Sequence, residues 1–60
     1  MTNNSGVSFS IGDKVAHKKF GDGIISAIKG EGDSQELDII FTKVGVKRLL
    51  ANFAPIEKKE

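Results

Sequence analysis

The side chains able to carry out acid–base chemistry or bind metal are few and scattered in this 60-residue sequence. His17 is the single histidine, and there is no cysteine. One histidine without a thiolate cannot supply a usual zinc ligand set. A lone histidine within a strand pattern is typically a structural or solvated residue rather than a general base. The sequence therefore predicts no catalytic residue, no metal site and no enzymatic activity for this chain.

Two other stretches bear a superficial likeness to ligand-binding loops. The acidic residues Glu31, Asp33, Glu36 and Asp38 are spaced like part of a calcium loop, but the glycine and terminal glutamate of an EF-hand are missing. The Gly21-Asp22-Gly23 segment lacks the Lys-Ser/Thr pair that follows the glycines of a phosphate-binding loop. We interpret the first stretch as a solvated loop and the second as a turn, and we expect no cofactor.

Basic side chains are the more informative group, although the formal net charge is only +1. Two stretches, 14–19 and 43–48, contain lysine or arginine and no acid, whereas 31–38 holds four acids. This distribution predicts one basic side and one acidic tip. A basic side can bind nucleic-acid phosphates or an acidic segment of a protein. The basic residues are Lys14, Lys18, Lys19, Lys43, Lys47 and Arg48.

Aromatic content favours a protein partner over single-stranded nucleic acid or methylated lysine. Tryptophan and tyrosine are absent, and at least three of the four phenylalanines are predicted to be buried. Base stacking and methyl-lysine recognition both need exposed aromatic rings. Lys47 and Arg48 precede a leucine pair, and Ile40 is predicted on a neighbouring strand. A charged rim around an apolar centre is typical of protein interfaces, so the predicted docking patch includes Ile40, Lys47, Arg48 and Leu49.

Short alternating segments separated by glycine-containing turns must position these side chains. Polar and apolar residues alternate over 13–18, and Leu37, Ile39 and Phe41 share one predicted face of a later strand. The apolar residues after Gly23 do not alternate, which indicates two covered faces or a β-bulge. Four strands, 13–18, 23–29, 36–42 and 46–51, and a brief fifth near Ile56 predict a small all-β barrel.

The same patterns predict which residues form the core and where the ordered domain begins and ends. Leu49 and Leu50 must point to opposite faces, so only one can be interior. Residues 52–55 are expected to form a 3₁₀ turn, and 57–60 a solvated end. The polar residues 1–8 are interpreted as a flexible linker, followed by one domain over 9–60. The predicted core comprises Val15, Phe20, Ile25, Ile28, Leu37, Ile39, Phe41, Leu49 and Phe53.

Cellular location is predicted from what the sequence lacks. There is no apolar run near 18 residues and no basic and apolar leader, so neither a membrane span nor a secretory signal is expected. The absence of cysteine suits the cytoplasm. We therefore expect a cytoplasmic, monomeric domain with no membrane partner.

Three blocks of sequence resemble the C-terminal Tudor-like domain of PcrA/UvrD-type DNA helicases, most of all those of Gram-positive bacteria. The blocks are 12–23 (GDKVAHKKFGDG), 45–51 (GVKRLLA) and 53–57 (FAPIE). They occur in the family's order and extend the resemblance over about residues 11–58. The first block alone is less specific, because related small barrels in other bacterial proteins carry it. The resemblance implies a five-stranded, SH3-like or Tudor-like barrel.

The resemblance also implies a function. Members of this family are superfamily-one, ATP-dependent 3′–5′ DNA helicases, whose ATP and Mg²⁺ sites and DNA-binding motor domains lie outside such a domain. The resemblance implies that the appended domain binds the β subunit of RNA polymerase and the repair protein UvrB. In both cases it would bind a short helicase-interaction motif on the partner. This docking would link the helicase to transcription-coupled DNA repair. The matching block implies partner contacts at Lys47, then at Arg48 and in the loop 42–45, which includes Lys43, Val44 and Gly45.

Two functional classes therefore remain after the sequence analysis. The first is a protein-interaction module of a DNA helicase. The second is an SH3-like barrel that contacts DNA or RNA phosphates through its basic strands. Salt dependence distinguishes them, since the affinity of a phosphate binder falls steeply with salt.

Overall fold

The computed structural model describes residues 8–59, so the linker predicted over 1–8 lies outside the described residues except for Ser8. Every strand begins or ends within a few residues of its predicted position. The elements are β1 (Lys14–His17), β2 (Gly21–Lys29), a 3₁₀ turn (Gly32–Ser34), β3 (Glu36–Phe41), β4 (Gly45–Leu50) and β5 (Ile56–Lys59).

The five strands form one antiparallel sheet in the order β4-β3-β2-β1-β5. The predicted all-β, five-stranded architecture is confirmed, and residues 8–59 contain no α-helix. β1, β2, β3 and β4 are joined in sequence as antiparallel neighbours, whereas β5 returns to pair with β1. This order leaves β4 and β5 as the two edge strands.

Alternation along β3 separates the two faces of the sheet. Leu37, Ile39 and Phe41 are at most 2% exposed, whereas Ile40 between them is 50% exposed. The face that carries the first three residues will be called the inner face, and the opposite one the outer face. Burial of apolar surface on the inner face is the main stabilising contribution in so small a domain. The buried apolar residues are Val15, Ile25, Leu37, Ile39, Phe41, Ala51, Ala54 and Ile56.

A β-bulge in β2 explains its irregular apolar pattern. Ile25 pairs with Ile39 and Ala27 with Asp38, so Ser26 is the extra residue between them. The Ser26 hydroxyl donates a hydrogen bond to the Asp38 carbonyl oxygen at 3.1 Å. Because one residue is added, Ile25 and Ile28 both face inward without the even spacing that a regular strand needs.

The predicted core was wrong at Phe53, which is 68% exposed. After β4, the amides of Phe53 and Ala54 both donate to the Leu50 carbonyl oxygen. This turn buries Ala54 and directs the phenylalanine outward. Of the leucine pair, Leu49 packs against the core and Leu50 is 43% exposed.

The turns and the last strand also differ from prediction. Residues 51–54 form an ordinary turn, and the 3₁₀ turn lies at Gly32–Ser34. Glu57, Lys58 and Lys59 belong to β5 rather than to a solvated end. Ion pairs from Lys58 to Asp13 (3.4 Å) and from Lys59 to Asp22 (3.1 Å) accompany the pairing. The sequence conceals this strand because Ile56 is its single buried residue and three consecutive charged residues follow.

Candidate functional site

The predicted docking residues converge on β4 but lie on both of its faces. Lys47 pairs with Ile39 and Leu49 with Leu37, which places both on the inner side of the strand. Ile40 pairs with Val46, and Arg48 with Asp38, on the outer face. The structure therefore brings Lys47 and Leu49 together and separates them from Ile40 and Arg48.

The remaining predicted residues lie where β3 turns into β4. Lys43 and Val44 are exposed in the turn 42–44, and Gly45 begins β4 with a φ of +81°. This left-handed backbone conformation favours glycine. A Cβ added to Gly45 would meet no atom within 4 Å, so there is room for another chain to approach the start of β4.

β4 is the most exposed strand of the sheet. Five of its six residues are exposed and only Leu49 is half-buried. Within residues 8–59 it pairs with β3 alone. An edge strand of this kind presents unpaired backbone N–H and C=O groups along its free side. Such an edge can accept a strand from a partner protein.

Lys47 extends across the inner side toward an aromatic ring. Its Nζ lies 5.4 Å from the centroid of Phe20. A lysine at this distance from a ring face is attracted by the ring quadrupole, by about 0.5–1 kcal/mol at an exposed site. No ion pair within residues 8–59 engages Lys47. The side chain is thus positioned by Phe20, and its positive charge can pair with an incoming acid.

His17 fixes the aromatic cluster beneath Lys47. Its ring stacks on Phe20 with centroids 4.4 Å apart and meets the edge of Phe41 at 5.7 Å. Its Nδ1 accepts hydrogen bonds from the backbone N–H groups of Lys19 (2.9 Å) and Phe20 (3.1 Å). These bonds close the corner between β1 and β2. His17 therefore has a structural role at this corner.

Protonation of His17 would disrupt this corner. Burial, and then the nearby positive charge of Lys19, lower the pKa of His17 below its ordinary value. The protonated ring would have an N–H at Nδ1 and could no longer accept the two backbone hydrogen bonds. Folding thus favours the neutral form.

This gives a first testable prediction about pH. The folded state resists protonation, whereas the unfolded chain takes up a proton near the ordinary pKa of about 6.5. The contribution of neutral His17 to the free energy of unfolding is therefore fully present above that pH. It declines as the pH falls below that value, by at most about 1.4 kcal/mol per pH unit. Melting curves between about pH 7.5 and about pH 5.5, one unit on each side of that pKa, should show this decline.

His17→Asn is the matched variant. Asparagine can place its Oδ1 near the position of Nδ1 and accept the same backbone hydrogen bonds, but it does not titrate. We expect a lower melting temperature than that of the wild type, from lost ring stacking, with no decline over this pH range. An equally steep decline in the variant would show that another group is responsible.

Arg48 is held within the domain on the outer face. Its Nε donates to Asp38 Oδ1 at 2.8 Å, and its Nη2 lies 3.4 Å from Oδ2. This hydrogen bond from Arg48 lowers the pKa of Asp38, and the same contact raises the pKa of Arg48. Arg48 thus presents less free charge than Lys47, and Lys47 is the better candidate for contact with an acidic partner.

No group of acidic residues and histidine within the described part of the chain is arranged to hold a metal ion. Within the same residues, no helix is long and apolar enough to cross a membrane.

Sequence reasoning missed several residues of the outer face. Ile24 is 46% and Val46 64% exposed, and both flank Ile40. Lys14 and Lys59 continue the same line across β1 and β5. Their proximity depends on the bulge in β2 and on the pairing of β5 with β1. Neither register is fixed by the local pattern of one strand.

The fold and the exposed edge strand define a small Tudor-like β-domain with a surface suited to protein contacts. The chain belongs to the PcrA/UvrD tudor domain family, whose model matches residues 11–58. This confirms the resemblance on which the sequence analysis drew.

Curated relatives agree with this assignment. The chain is 54% identical over 59 residues to the ATP-dependent DNA helicase PcrA of Bacillus subtilis (strain 168), covering 97% of this chain and 8% of that protein. It is 55% identical over 56 residues to PcrA of Staphylococcus aureus (strain Mu50), covering 93% and 8%. Identity to PcrA of Leuconostoc citreum is 50% over 58 residues, with 97% and 8% covered. The chain thus spans less than a tenth of these relatives.

Proposed function

We propose that this domain is the C-terminal docking module of an ATP-dependent DNA helicase and binds a partner segment along the free edge of β4. The observation that carries the proposal is the exposed, one-sided pairing of β4, with Lys47 positioned over Phe20 beside it. The relatives' names support the helicase parent. Unwinding by a superfamily-one 3′–5′ motor, with its DNA, ATP and Mg²⁺ sites, belongs to other parts of that cytoplasmic protein.

The partners proposed are the RNA polymerase β subunit and UvrB. A short extended motif on either protein would add a strand to β4, and main-chain hydrogen bonds would supply much of the affinity. Side chains on the motif's inner side would meet Lys47 and Leu49 and would approach Phe20. An acidic residue there would pair with Lys47, which supplies specificity as well as attraction. The open space at Gly45 accommodates the end of the motif.

Lys47→Ala is the direct test of this arrangement. Because Lys47 is exposed, we expect about a tenfold weaker affinity for an RNA polymerase β-subunit fragment, or about 1.4 kcal/mol. The melting temperature should fall only slightly, since the lost contact with the Phe20 ring is worth about 0.5–1 kcal/mol. Binding is measured by fluorescence titration, with melting curves of both proteins.

Lys29→Ala is the charge-matched control, at the far end of β2 and with no ion pair among residues 8–59. It should bind as the wild type does. Equal affinities for the wild type and Lys47→Ala would remove Lys47 from the interface. Tight oligonucleotide binding that weakens steeply with salt would instead favour the phosphate-binding alternative.

A further inference from the structure

A straight row of five side chains crosses the outer face of the sheet. Pairing registers place Lys59 beside Lys14, Lys14 beside Ile24, Ile24 beside Ile40 and Ile40 beside Val46. The row thus has two lysines at one end and three aliphatic residues at the other. The three aliphatic side chains are 46%, 50% and 64% exposed in that order. This set will be called the outer row.

A depression of about 460 Å³ lies over the lysine end and the middle of the outer row, and Val46 is not among its lining residues. Its lining includes Lys14 and Lys59 from the lysine end of the row and Ile24 and Ile40 from the aliphatic part. Its charged lining consists of those two lysines and Asp22. Asp22 pairs with Lys59 at 3.1 Å, whereas Lys14 has no ion pair within residues 8–59. The depression therefore combines an apolar floor with one uncompensated positive charge.

From this arrangement we infer that the outer row is a second docking site, separate from the β4 edge, for an extended peptide with an acidic residue followed by aliphatic residues. Two lysines directly opposite each other on neighbouring strands repel. Asp22 already offsets the charge of Lys59, so a partner carboxylate beside Lys14 would offset the remaining positive charge. The aliphatic residues of the peptide would cover the floor and remove apolar surface from water.

The length of the row fits an extended segment. Adjacent strands lie about 4.8 Å apart, so Lys14 and Val46 are separated by three spacings, or roughly 14 Å. An extended chain advances about 3.3 Å per residue and spans this distance with four to five residues. Alternate side chains of such a segment can face the row.

Other occupants fit the charge pattern less well. Nucleic-acid phosphates would satisfy the lysines but leave Ile24, Ile40 and Val46 uncovered. A second copy related by a two-fold axis through the row would place the lysine end of one chain on the valine end of the other. That contact would bury lysines against apolar side chains without an acid, which is costly.

The test uses the ¹⁵N-labelled chain and a blocked synthetic hexapeptide of sequence Asp-Glu-Ile-Thr-Val-Thr. We expect saturable amide shifts centred on Lys14, Ile24 and Ile40. Lys14→Glu and Ile24→Ser should each weaken binding at least about tenfold while retaining the fold's dispersed spectrum. A second peptide in which the two acids are replaced by lysine should cause no shifts there.

Matched variants separate this inference from the proposed function. Lys47→Ala and Lys29→Ala should bind the hexapeptide as the wild type does, because neither residue belongs to the outer row. The inference is overturned if the hexapeptide shifts no outer-row amide, or if Lys14→Glu leaves its affinity unchanged. It is also overturned if the shifts follow chain concentration alone, as for self-association, or if only an oligonucleotide produces them. Each result leaves polymerase docking at β4 to be judged by its own titration.

Discussion

Phe41→Ala is expected to lower the free energy of unfolding by roughly 3–5 kcal/mol, which is most of the stability of so small a domain. Phe41 is 2% exposed and lies at the centre of the aromatic cluster, 5.3 Å from the Phe20 ring and 5.7 Å from the His17 ring. Removing its ring leaves a cavity that two rigid aromatic neighbours cannot fill. It also removes support beneath the ring on which Lys47 rests.

Thermal and urea melting curves measure this effect. In a domain of this size, each kcal/mol shifts the melting temperature by about 4–8 °C, so a fall of more than about 12 °C is expected. Ile40→Ala is the control, because it removes apolar atoms from the same strand at a half-exposed position. Its change should stay near 0.5 kcal/mol. Equal losses in the two variants would contradict the placement of Phe41 in the core.

Local sequence patterns predicted the fold because most strands have one buried face. The alternation in β3 identified Leu37, Ile39 and Phe41 as core residues, all of which the structure buries. The irregular pattern of β2 left two alternatives, two covered faces or a β-bulge, and the pairing with β3 shows a bulge. β5 was underestimated since its single buried residue leaves almost no periodic signal.

The candidate site was harder to predict because it depends on register and turn geometry. The sequence placed Ile40 and Lys47 on neighbouring strands, but only the pairing of Ile39 with Lys47 shows that they face opposite ways. Phe53 was assigned to the core from its apolar character alone. The turn bonds to the Leu50 carbonyl oxygen direct it into solvent instead. Such bonds are not readable from residue type.

The different chemistry of the two faces of β4 could make docking at this strand specific. A partner strand on the β4 edge would meet an aromatic and basic side at Lys47 and a salt-bridged side at Arg48. The two sides differ in chemistry, so a motif can bind in one orientation and be disfavoured in the other. Specificity of this kind arises from mismatched charges as much as from favourable contacts.

Gly23→Val is expected to destabilise the domain by about 3 kcal/mol, through overpacking rather than through a cavity. Gly23 is buried and pairs with Phe41 in the adjacent strand. A Cβ built at this position would lie 2.7 Å from Ile39 Cγ2, 2.7 Å from Phe41 Cδ1 and 3.0 Å from the Ile40 carbonyl oxygen. The first two atoms belong to packed core side chains and the third to the backbone, so the clash can be relieved only by moving the sheet or its core. Valine adds two further methyl groups to that clash.

Lys29→Val places the same side chain at the exposed end of β2 and should change stability by about 0.5 kcal/mol or less. A double-mutant cycle with Ile39→Ala sharpens the test. Deleting the Cγ2 atom opens space for the new side chain, so the double variant should lose less stability than the sum of the single losses, by about 0.5–3 kcal/mol. Additive losses would mean that the valine does not meet Ile39. A Gly23→Val domain with the wild-type melting temperature would mean that the close approach of β2 to the core does not exist.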